Sequence, residues 1–167
     1  MKKIAYLTTA PGRKMLGLAK RVDKNLRLIL NLVMDDRLSS SEYKKIHQSW
    51  EDLLNEHGKF LHRLVESYRP SISQSAEEKT LVRTKEEMRK TGKKEKVFFS
   101  SLLGAILFER CIETENIFKI ILHYRQNMML SEQFFFASFE SFSAQKGLLQ
   151  DYTDKLEELR KTLESQT

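Results

Sequence analysis

Apolar residues recur at three- and four-residue spacing along most of the chain. Leu16, Ala19, Val22, Leu26, Ile29, Leu30 and Val33 form the first such stripe, the pattern of a helix that turns one face to a core. Pro11 suits a first helical turn, where its missing N–H would be unpaired anyway, with Thr8 or Thr9 beside it as a cap. This helix ends near Met34-Asp35-Asp36. A second opens at Ser39, which has capping-box spacing to Glu42. Its stripe is Ile46, Trp50, Leu53, Leu54, His57, Phe60, Leu61 and Leu64, and Arg69-Pro70 stops it.

The middle of the chain is different. Ser71 to Ala76 is polar and turn-like, and the next window has only Leu81, Val82 and Met88 as apolar anchors. That stretch reads as an exposed helix or a partly disordered insert, broken at Gly92. Val97 to Met129 is the longest apolar-rich run, and the polar cluster Glu113-Thr114-Glu115-Asn116 marks a kink in it or a face turned to water. Ser131 can cap the next helix, whose Phe134, Phe135, Phe136, Phe139 and Phe142 surround much of its circumference, so burial on several sides is expected. Gly147 breaks or bends it, and Leu148, Leu149, Tyr152, Leu156, Leu159 and Leu163 form a last stripe. No internal repeat and no clean strand stands out.

Two prolines and six glycines in 167 residues leave few turns, so the elements are long, and long elements in a chain of this size are helices. The fold class expected is all-α: an elongated bundle of about five to six helices. Residues 1–167 make a single domain with a basic insert at 71–96. A lone cysteine, Cys111, excludes an internal disulfide and a Cys-rich zinc site. No apolar run approaches the roughly 18 residues of a membrane span. A cytoplasmic protein is the expectation.

Net charge is +6, and it is concentrated. Residues 79–96 hold Lys79, Arg83, Lys85, Arg89, Lys90, Lys93, Lys94 and Lys96 against Glu86, Glu87 and Glu95, which is five of the six net charges. Because this window has no aromatic side chain for stacking on bases, nucleic acid is not expected as a partner. An anionic membrane surface touched by Lys90, Lys93 and Lys94 fits better, at about 1 kcal/mol per basic residue. A merely solvated insert is the plainer alternative.

Candidate chemistry is sparse. A di-iron bundle needs Glu-x-x-His pairs to aim two ligands at one metal, and the sequence has none. No phosphate loop, nucleotide-binding glycine motif or nucleophile elbow is present. His57, on the apolar stripe beside Gly58, is expected to be a buried structural histidine at a close helix crossing. Cys111 is expected to be a small core residue. No cofactor, no metal and no covalent catalysis are expected.

The segment from Leu38 to Leu64 resembles the second conserved region of Dbl-homology domains, the exchange-factor modules for Rho-family GTPases. Ile46, Leu53, Leu54, His57, Phe60, Leu61 and Leu64 fall in register, and His47 stands where the family usually has phenylalanine. Leu26, Ile29, Val33 and Met34 are similar in spacing to the first conserved region. Leu107-Phe108-Glu109-Arg110-Cys111 looks like the family's middle stretch, and Leu148-Leu149-Gln150-Asp151-Tyr152 resembles the lead-in to its third region. The resemblance implies a guanine-nucleotide releasing module whose partner is a small GTPase. Its contacts would include Ala19, Lys20, Asp23, Asp151, Tyr152 and Glu158. The family's contacting glutamate falls near Ala19, and Leu156-Glu157-Glu158-Leu159 replaces its Pro-x-Gln-Arg motif, so weak or no exchange is implied. The alternative is a helical adaptor or effector that binds another protein.

Overall fold

In the computed structural model, which describes residues 2–72 and 74–166, five α-helices carry most of the chain. The order is β1 (Lys2–Leu7), α1 (Ala10–Met34), α2 (Ser40–Tyr68), a short 3-10 turn (Arg69–Ser71), α3 (Gln74–Thr91), β2 (Lys93–Phe98), α4 (Leu102–Gln126) and α5 (Glu132–Ser165). The all-α class is right, with one addition that the sequence reading missed. β1 and β2 pair antiparallel in a two-stranded ribbon, with Tyr6 opposite Lys94, Ile4 opposite Lys96 and Lys2 opposite Phe98.

The helix starts follow local chemistry. The hydroxyls of Thr9, Ser39, Ser101 and Ser131 each accept an N–H three residues on, at the heads of α1, α2, α4 and α5. Each such cap is worth about 1 kcal/mol. The basic window forms α3 up to Thr91, and β2 follows directly. Gly147, expected to break or bend its helix, does not break it, since α5 runs unbroken from Glu132 to Ser165. Thr114 and Glu115 do not face water. Both are wholly buried inside an unbroken α4, because α1 covers that face.

The order contains a repeat. β1-α1-α2 and β2-α4-α5 are the same unit, spaced by 92 residues, as from the Thr9 cap to the Ser101 cap. Gly12 matches Gly104, Asp23 matches Glu115, and the Ser39 cap matches Ser131. Asp36 and Met128, also matched, are the two non-glycine residues with positive φ among the described residues, both at 58°, where each unit turns between its helices.

The two units close on each other about α1 and α4. Gly12 of α1 lies against Glu115 of α4, and Asp23 lies against Gly104. Rising position on one helix meets falling position on the other, so they run antiparallel. Met15, Ala19, Val22, Leu26 and Ile29 meet Leu107, Cys111, Phe118 and Ile121 in one core. The outer helices cross over. Arg21 of α1 bonds Asp154 and Glu157 of α5, Gly58 of α2 packs on Arg110 of α4, and Trp50 of α2 stands edge-on to Tyr152 of α5.

Candidate functional site

Two carboxylates lie inside the bundle, and both are occupied in holding it together. Glu115 accepts the backbone N–H groups of Thr8 (2.5 Å) and Thr9 (2.6 Å), at the head of α1. Asp23 accepts those of Ser100 (3.1 Å) and Ser101 (2.7 Å), at the head of α4, together with both serine hydroxyls. Each unit thus supplies the anion that caps the other unit's first helix. Negative charge is favoured there by the helix dipole and the free N–H groups.

The other reactive side chains of the interior are muted. Burial pushes the Cys111 thiol up to about 12, helped by Glu115, and its Sγ donates to the Gly12 carbonyl (3.1 Å). His57 is wholly buried at the α2–α4 crossing that Gly58 makes possible. Burial, then the Arg110 charge, lowers its imidazole to about 4, so it is neutral at pH 7. Neither ring nitrogen has a hydrogen-bond partner among the described residues. Among those residues no group of three His, Cys, Asp or Glu side chains could hold a metal ion. Among the described residues no helix is long and apolar enough to cross a membrane.

The positions drawn from the Dbl-homology resemblance separate. Ala19 is completely buried in the α1–α4 contact, and Asp23 is committed to the α4 cap, so neither side chain is presented to a partner. Lys20 is exposed and reaches Glu95 at 3.9 Å. Asp151 and Glu158 are exposed on α5, while Tyr152 is half-buried against Trp50 with ring centroids 5.1 Å apart. The three lysines of the basic window, Lys90, Lys93 and Lys94, are all exposed.

What sequence reasoning missed is the outer face of the ribbon. Successive residues of a strand point to opposite faces. Ala5, Leu7 and Val97 are buried on the inner face, and Lys3 and Glu95 there reach Glu109 of α4 and Lys20 of α1. The outer face therefore carries Ile4, Tyr6, Lys94, Lys96 and Phe98. Phe98 is 72% exposed and Ile4 44%, and Lys94 and Lys96 are exposed. Each described pair on this face sets an apolar or aromatic side chain opposite a lysine: Tyr6 against Lys94, and Ile4 against Lys96.

α3 extends the same surface. Lys85 and Arg89 line a cleft with Ile4, Tyr6, Met88 and Ile112, with Glu115 at its inner end. The cleft is small, about 160 Å³. The absence of aromatics from residues 79–96 counted against nucleic acid, but Tyr6 comes from the other end of the unit and Phe98 lies just beyond the window. The ribbon interleaves them with the lysines. Neither six-residue run, Lys2–Leu7 nor Lys93–Phe98, alternates polar with apolar residues, and lysine is depleted in strands, so the local sequence carried no strand signal.

Comparisons with protein-family models, with curated proteins and with solved structures give no match for this chain.

Proposed function

We propose that the chain is a non-catalytic docking module that holds nucleic acid against the outer face of its ribbon. The observation that carries this is the clustering of aromatic and cationic side chains on one β surface backed by the bundle, with Lys94, Lys96 and Phe98 exposed and Tyr6 half-buried beside them. Aromatic faces stack on bases, at about 1–3 kcal/mol per base, while lysines meet phosphates and release counterions. Lys85 and Arg89 of α3 widen the positive field beside Ile4 and Tyr6. The buried acids and His57 serve the bundle, which supports a binding role over catalysis. A GTPase surface is not preferred, because Ala19 and Asp23, two of the six contacts the resemblance implies, lie inside, while Lys20, Asp151 and Glu158 are exposed.

Fluorescence anisotropy with labelled duplex and single-stranded oligonucleotides, over a range of salt, tests the reading. Reversal of Lys94 and Lys96 to glutamate is expected to weaken binding more than tenfold and flatten the salt slope by about two. The charge-matched reversal of Lys155 and Lys161, exposed on α5, is expected to change it little. Equal losses from the two variants would remove the ribbon from the interface. Binding to phosphatidylserine vesicles with none to oligonucleotides would give the face to a membrane instead.

A further inference from the structure

The ribbon and the repeat together say more about the nucleic acid. Shifting by 92 residues carries Tyr6 onto Phe98, Lys2 onto Lys94 and Ile4 onto Lys96. In the ribbon Ile4 is opposite Lys96, so this pair maps onto itself. The pair Tyr6–Lys94 maps onto Phe98–Lys2. The outer face therefore has an approximate two-fold axis through Ile4 and Lys96, with an aromatic residue, Tyr6 or Phe98, on either side.

We propose that this face enters the major groove of duplex DNA, and that one chain covers an inverted repeat whose two halves differ. The inference rests on the docking reading above and specifies its ligand. A two-stranded antiparallel ribbon fits the major groove of B-form DNA, whose backbone has its own two-fold axes. The deep, narrow major groove of A-form RNA admits no such ribbon. Proteins that match a DNA dyad usually do so as dimers of identical chains. Here both halves belong to one chain, so the complex is one protein to one duplex. The halves are not identical: the axis sets Ile4 against Lys96, and one arm ends in the hydroxyl of Tyr6 where the other has Phe98. An apolar side chain suits a thymine methyl, and a lysine suits guanine O6 and N7. The preferred site is accordingly an imperfect palindrome, with the departure from symmetry at its centre.

Selection of bound duplexes from a library randomised over two helical turns, with native mass spectrometry of the winning complex, tests this. The full chain is expected to enrich an imperfect inverted repeat and to bind it one to one. It should prefer that repeat at least about fivefold over the symmetrised version, the lower end of the effect of one wrong base pair. The Ile4→Lys/Tyr6→Phe double variant makes the axis pair and the aromatic arms alike, and its preference is expected to fall to about one or reverse. Ile4 is well exposed, and an unchanged melting curve establishes that the variant is folded. Duplex binding without an enriched inverted repeat, or a complex of two chains per duplex, would overturn this inference and leave the docking reading standing. Failure of the wild-type chain to bind any oligonucleotide would sink both.

Discussion

The buried residue whose shifted titration lies nearest neutral pH is His57. It occupies the place that Leu149 fills in the second unit, and both are buried. A site that suits leucine holds imidazole only in its neutral form. The folded value of about 4 lies below the 6.5 of an unfolded histidine, so between those values the unfolded chain binds more protons and stability rises with pH. Stability is complete above about pH 6.5 and falls as pH drops through that window, by a total on the order of 3 kcal/mol. Urea melts at pH 7 and pH 5 check this. The His57→Leu variant is expected to lose most of the pH dependence while remaining folded, and an unchanged slope would place the titration elsewhere. Glu115 makes the opposite demand, since its charge is useful where it lies. Glu115→Ala leaves the N–H groups of Thr8 and Thr9 without their acceptor, and a loss of about 2–4 kcal/mol in urea denaturation is expected. Asp23→Ala is expected to show a similar loss, because it strips the head of α4 in the same way.

At the scale of the element, the glycines of the long helices divide sharply. A Cβ on Gly104 would lie 2.7 Å from the Asp23 Cβ, and one on Gly12 would lie 3.0 Å from the Glu115 Cβ. These two glycines let the capping acids approach. Gly104→Ala is expected to destabilise by about 1–3 kcal/mol, the usual range for overpacking. Gly147 has nothing within 4 Å of its would-be Cβ, so Gly147→Ala is expected to stabilise α5 by roughly 1 kcal/mol. Thermal melts of the two variants should move in opposite directions. The reading of Gly147 as a break fails for the same reason. One glycine costs a helix about 1 kcal/mol, far less than the packing of Phe135, Phe142, Leu149 and Leu156 on either side of it contributes. α3 was legible only in part. Thr80, Thr84 and Met88 are buried against the bundle, a narrow seam that two threonines hid from any search for apolar spacing. Its amides are expected to exchange with deuterium faster than those of α1 and α4, whose buried residues are many.

Across the whole molecule, the sequence alone determined that long amphipathic helices would form, where three of them begin, and that positive charge gathers before Val97. These are local properties: stripe period, a hydroxyl three residues ahead of a free N–H, and a count of lysines. The repeat escaped because, outside the caps, the glycine pair and the acid pair, the matched core positions share burial and little else. Trp50 answers to Phe142, Val22 to Thr114 and Leu61 to Thr153, all buried. Packing constrains volume and polarity and leaves residue type free. Tertiary structure alone decided the rest. It turned Asp23 from an expected surface contact into an internal cap, buried Thr114 and Glu115 of the 113–116 cluster in the core, and brought Tyr6 to Lys94 across 87 intervening positions of chain. A strand pair of six residues each has too little local signal to declare itself. It exists here because α1 and α4, packed antiparallel, hold its two halves edge to edge.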